Sequence, residues 1–240
     1  MNMLRTIRSF VPLPVKRWYW HVTDEFQTKY DAEHGYWKGK FTEKGGRFKN
    51  GHYERLFLAM GQEKSHEFLR NRIVADFGCG PRGSHEWASE AKARNGIDVL
   101  SDQYASEFEV RGQDIVDFVA SEDRIPLPSN YIDIMFSLNA LDHADNFRQI
   151  CREIVRVVAP GGLFIASFNL EEEPTKCEPQ TLTETKVKRY LLDHLDIVSY
   201  RVAIKGGYTV EYEDMIAGNT VASAQKGVAS ILWVRATKQR

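Results

Sequence analysis

Arg72-Ile-Val-Ala-Asp-Phe-Gly-Cys-Gly-Pro-Arg-Gly-Ser84 sets a short apolar run ahead of an acid, three glycines and a serine. The apolar run has the length and β-branched content of a buried strand. Gly78, Gly80 and Gly83 remove Cβ where the backbone turns sharply or comes close to a ligand. Ser84 is a good N-cap, so the spacing predicts a helix over His85-Glu-Trp-Ala-Ser-Glu-Ala-Lys-Ala-Arg94, stopped at Gly96. Strand, glycine turn and helix in that order describe a cofactor-binding βα loop.

Outward from this loop, strand-like and helix-like periods alternate, which predicts an α/β domain with a parallel sheet. The strands expected are 73–77, 96–100, 116–120, 132–137 and 163–168. Phe147, Ile150, Cys151, Ile154, Val157 and Val158 recur at helical steps, giving a helix over about 146–158. Asp145 is placed to cap it, and Pro160-Gly161-Gly162 to end it before the next strand. Thr181-Leu-Thr-Glu184 resembles a capping box for a helix ending near Leu195. Segments 196–204 and 230–237 read as two late strands with no clear helix between them, hence an antiparallel pair at one end of the sheet. Residues 1–71 differ in kind. They are rich in aromatic residues (Trp18, Tyr19, Trp20, Tyr30, Tyr36, Trp37, Tyr53), with helical patches such as 53–60, and read as a helical cover. The chain divides into this extension, which is not independent, and an α/β domain over 72–240.

Composition removes several function classes. Lys plus Arg number 32 and Asp plus Glu 33, so no global field points to nucleic acid or an anionic membrane surface. Cys79, Cys151 and Cys177 are scattered and lack metal-ligand spacing, so no metal is expected and a reducing, cytoplasmic compartment is. Pro12 and Pro14 interrupt the first apolar run, and no segment approaches the roughly 20 apolar residues of a spanning helix.

Gly78-Cys-Gly-Pro-Arg-Gly83 also satisfies the GxGxxG dinucleotide pattern, so a nicotinamide cofactor is open at this point. A pyrophosphate needs N–H groups aimed at it, and Pro81 has none; Asp76 would face the anion. An acid suits a ligand that carries an amine and a sulfonium.

Taken together, residues 73–236 resemble the class I S-adenosylmethionine-dependent methyltransferases, of the small-molecule, type-11-like kind. The resemblance rests on Asp76-Phe-Gly-Cys-Gly80, Gly96-Ile-Asp98, Ser121-Glu-Asp-Arg-Ile-Pro126, the run Tyr131 to His143, and Arg152 to Gly162. It implies a Rossmann-like, seven-stranded, mostly parallel sheet with helices on both faces, a C-terminal antiparallel hairpin strand and the N-terminal helical cover. It implies S-adenosylmethionine as cofactor. Gly78, Cys79 and Gly80 would lie against its methionine part, Asp76 would hold its amino group, Asp98 its ribose hydroxyls, and Ser121 and Glu122 would flank the adenine. Asn139 to His143 would border the methyl group and the acceptor. Pro81-Arg82 departs from the family pattern by lengthening the turn before Gly83.

The activity implied is methyl transfer to a small organic or sugar-like acceptor by in-line displacement, with no nucleic acid as partner. His143 is the candidate base where the acceptor must lose a proton, with Asp142 beside it; His21 and His34 are alternatives. Loop packing or helix capping competes as the reading of Asp142 and His143. A cofactor-binding module without catalysis and an NAD-dependent oxidoreductase are the rival functions.

Overall fold

A computed structural model describes residues 28–46, 48, 50–82, 84–108, 115–118, 121, 123–206 and 210–240. Helices α1 (Lys29–Glu43) and α2 (Gly51–Gly61) precede the sheet. The sheet then forms from β1 (Ile73–Phe77), β2 (Ala93–Ile97), β3 (Ile115–Phe118), β4 (Ile132–Leu138), β5 (Val158–Leu170), β6 (Leu195–Ile204) and β7 (Ser230–Lys238). Between strands lie α3 (Ser101–Glu107), α4 (Phe147–Val157), α5 (Glu184–Tyr190) and α6 (Val210–Ala217).

The strand order is β3-β2-β1-β4-β5-β7-β6. The first five strands pair in parallel, and β7 inserts antiparallel between β5 and β6. The mixed α/β class with an antiparallel end is therefore as the alternation of elements predicts. Both faces of the central strands are buried, as their near-continuous apolar sequences require. On one face, Val74, Ile134, Phe136, Ile165 and Trp233 pack against Phe57 and Met60 of α2 and Met215 of α6. On the other, Ala75, Met135, Phe164, Ala166 and Val234 meet Ile150, Ile154 and Val157 of α4 and Val187 of α5.

Several boundaries differ from the expectation. No helix follows Ser84. Instead a short 3-10 turn covers Gly80–Arg82, and turns fill the segment up to Lys92. Arg94 donates to the carbonyls of His85 (3.4 Å) and Glu86 (3.1 Å), acceptors that a helix would need for its own N–H groups. Ser84 turns its hydroxyl to Asp76 rather than to a helix start. Strand β2 accordingly begins at Ala93, in register with Ile73, and ends at Ile97, so Gly96 lies within it. The α4 cap is Asn146, whose side chain accepts from Gln149 N at 3.2 Å, not Asp145. Pro160-Gly161-Gly162 is a bulge within a long β5, marked by the register shift between Ile132 and Ile134. The α5 cap is Thr183, while Thr181 donates to the Glu172 carbonyl at 2.8 Å. Finally, α6 occupies the connection between the late strands, where no helix is expected.

Candidate functional site

The C-terminal ends of β1, β2 and β4 open into a cavity of about 430 Å³. This is where an open parallel sheet binds its ligands, beyond the strand ends at a change of strand order. Asp76, Gly78, Cys79, Gly80, Asp98, Ser121, Asn139 and His143 all line it. Asp142 does not, and Glu122 and Gly83 lie outside the described residues.

Gly78 and Gly80 adopt φ of +74° and +57°, the left-handed region that favours glycine. A Cβ on Gly78 would stand 2.1 Å from the Ala140 Cβ, so the loop after β1 seats directly on the loop after β4. A Cβ on Gly80 would reach the Trp37 ring at 3.1 Å. The Gly78 N–H donates to the Ile97 carbonyl at 2.8 Å, tying the glycine turn to the end of β2.

Two buried acids flank this turn. Asp76 accepts from the Ser84 hydroxyl through Oδ2, while its buried Oδ1 has no hydrogen-bond partner among the described residues. Burial raises its carboxyl to about 8, against the Ser84 hydrogen bond and with Asp98 adding to the rise. Asp98 accepts from Leu100 N at 2.9 Å and Gly80 N at 3.0 Å. Burial lifts Asp98 to about 6, partly offset by those two N–H groups and by His143, while Glu33 adds to the rise.

Asn139 follows β4 directly, at φ +49°. Its Oδ1 accepts from Ser167 Oγ at 2.6 Å, and its Nδ2 donates to Tyr212 Oη at 2.7 Å. Its side chain is thus held at both ends. Ser121 is exposed at the cavity rim and donates to Asp123 at 2.6 Å.

The opposite wall comes from segments that carry no family motif. Helix α1 starts with a capping box at Thr28 and Asp31. Its Lys29, Glu33 and Trp37, four residues apart, share one helical face and line the cavity with Tyr36. Thr175, Cys177 and Glu178 add the loop after β5. His143 sits between these two segments, its Nδ1 3.4 Å from Glu33 and its Nε2 3.8 Å from Glu178. Burial opposes charge on the imidazole, but Glu33, Asp142 and Glu178 outweigh it and hold His143 up at about 9. Lys29 donates to the His143 carbonyl at 2.5 Å. Sequence reasoning missed Lys29, Glu33 and Glu178; the four-residue stripe Lys29–Glu33–Trp37 is the signal that could have found the first two.

Asp142 is buried behind His143, where its Oδ2 accepts from Asn169 Nδ2 at 3.4 Å. Any part it has is exerted through its neighbour. His34 is displaced from the cavity lining to the rear of α1, 3.4 Å from Glu107 and stacked on Tyr104. His21, Trp18, Tyr19 and Trp20 lie outside the described residues.

Comparison with known proteins agrees with this architecture. Residues 75–166 match the methyltransferase-domain family, the stretch that runs from β1 through the glycine turn to β5. The chain is 30% identical over 125 residues to a 2-methyl-6-phytyl-1,4-hydroquinone methyltransferase of Synechocystis, a match that spans 50% of this chain and 39% of that relative. Among solved structures, an S-adenosylmethionine-dependent methyltransferase from Mesorhizobium loti superposes with a TM-score of 0.51 at 16% identity, over 71% of this chain and 92% of its own. The [4+2]-cyclase SpnF superposes with a TM-score of 0.56 at 15% identity, over 77% of this chain and 80% of its own. The α/β domain of this chain thus has the fold of S-adenosylmethionine-dependent methyltransferases, and its residues 75–166 match the methyltransferase-domain family. Among the described residues, no helix is long and apolar enough to cross a membrane.

Proposed function

We propose that this chain binds S-adenosylmethionine at the Asp76–Asp98 cavity and transfers its methyl group to a small organic or sugar-like acceptor. The observation that carries the reading is the buried Asp76 Oδ1, which has no hydrogen-bond partner among the described residues, beside two left-handed glycines in a cavity that also holds Asp98. A cationic amine is the ligand group that this oxygen lacks, since a buried carboxylate is costly until it is paired. Binding the amine would return Asp76 to its ionised form. Asp98 retains acceptor capacity for ribose hydroxyls after taking the Gly80 and Leu100 N–H groups. Gly78, Cys79 and Gly80 admit the ligand close to the backbone, Ser121 and Glu122 serve the adenine end, and Asn139 holds the loop that borders the reacting region.

The bound cofactor would supply an electrophilic sulfonium methyl with a good leaving group. The protein's share is to hold the acceptor in line and keep water out. We assign the acceptor to the side of the cavity walled by Glu33, His143 and Glu178, with α1 as cover. An imidazole held at about 9 is protonated at neutral pH, so His143 orients the acceptor as a donor. Where the acceptor must lose a proton, Glu33 or Glu178 takes it in place of the His143 base expected from sequence. A cytoplasmic location accords with the free thiols of Cys79, Cys151 and Cys177.

The test is turnover. The full chain is incubated with S-adenosylmethionine and a panel of hydroxyl, amine and carbon acceptors, and S-adenosylhomocysteine is quantified. Acceptor-dependent product is expected, lowered roughly a hundredfold in Asp76→Asn through lost binding and positioning. Cofactor binding with no product for any acceptor would instead favour a binding module without catalysis.

A further inference from the structure

Away from the cavity, α4, α5 and the short turn Leu192–His194 enclose a second cleft, of about 370 Å³. Arg148, Arg152, Arg189 and His194 line it, with Val155 and Tyr190 as its apolar part. The chain as a whole is close to neutral, so this concentration of positive charge is local.

The three arginines differ from several others in the fold. Arg55, Arg70, Arg72, Arg156 and Arg235 each pair with a carboxylate. Arg148, Arg152 and Arg189 have no ion pair among the described residues. Arg148 and Arg152 are also four residues apart on one helix, a like-charge spacing that costs stability unless something neutralises it. Tyr190 draws two of the guanidinium groups to one ring, with Arg148 at 5.9 Å and Arg189 at 5.5 Å from its centroid. Two helices therefore deliver guanidinium groups to one concave place, where each can form forked hydrogen bonds to a single oxyanion.

We propose that this cleft binds a phosphate group, with the adjoining part of the ligand resting on Tyr190 and Val155. One guanidinium fork suits a carboxylate as well as a phosphate, but three in one cleft exceed what a single carboxylate can neutralise, whereas a phosphate has the charge and the oxygens to accept from more than one fork. The site is separate from the cofactor cavity and needs no assumption about the reaction carried out there.

The probes are sodium pyrophosphate, titrated into the full chain by calorimetry, and phosphatidylcholine vesicles containing phosphatidic acid, tested by co-sedimentation. Saturable binding is expected with at least one probe, weakened roughly tenfold or more in the Arg148→Gln, Arg152→Gln double variant. Arg55→Gln, a change to an exposed ion pair elsewhere, should leave it unchanged. Pyrophosphate binding without vesicle binding identifies a soluble phosphate ligand; vesicle binding alone identifies a lipid headgroup. Should the double variant not fold, Arg189→Gln on the neighbouring helix gives the same readout. No saturable binding to either probe, or binding that survives these substitutions, would overturn the proposal.

Discussion

At the scale of single residues, the site is governed by burial of charge. Asp76 and Asp98 are forced above their usual range by desolvation, and His143 is held up by carboxylates despite it. The signs of these shifts agree. A carboxyl raised from 3.8 to about 8, as in Asp76, makes the ligand-free fold lose stability as pH rises through that window. A histidine raised from 6.5 to about 9 contributes stability that is complete below 6.5 and lost as pH rises through 9. The melting temperature of the ligand-free protein should therefore fall between pH 6.5 and pH 9, and Glu33→Gln should flatten the upper part of that fall. A melting temperature that is level or rises over the same interval would remove the ion-pair account of His143. The acids at 76 and 98 were legible in the sequence because they sit at fixed offsets from the glycine turn. The charge state of His143 was not, because two of its partners come from positions distant in the chain, Glu33 and Glu178.

At the scale of elements, local signals worked where local chemistry decides and failed where a tertiary bond intervened. The 3- and 4-residue stripe of α4 gives that helix within a residue of its ends. Ser84 looks like a helix cap, yet its hydroxyl is used by Asp76, and Arg94 takes the carbonyls the helix would need. The insertion helix α6 went unread because its placement depends on partners in the core: Met215 buried in the sheet cluster and Tyr212 stacked on Trp233. Yet it reaches the site through the Tyr212–Asn139 hydrogen bond. Tyr212→Phe leaves Asn139 Nδ2 without that acceptor, at a cost of about 1 kcal/mol. The expected result is a several-fold weaker cofactor affinity with a smaller change in the turnover number. Equal loss in both, or in neither, would mean that α6 does not position the loop after β4.

At the scale of the whole molecule, the sheet and the strand-end wall of the cavity follow from the motif order, because a parallel α/β sheet brings the ends of β1, β2 and β4 together. The opposite wall of the cavity does not follow from it. Lys29, Glu33, Trp37 and Glu178 converge only once α1 and the loop after β5 fold over the strand ends. Fold similarity extends to a cyclase as well as to methyltransferases, so the reaction rests on the site rather than on the sheet. The claim on which the rest depends is cofactor identity, and calorimetry of the full chain with S-adenosylmethionine and, separately, NAD tests it most directly. Saturable binding of S-adenosylmethionine and none of NAD is expected, with affinity reduced roughly ten- to a hundredfold in Asp98→Ala. Unchanged affinity in that variant, or a preference for NAD, would contradict the account.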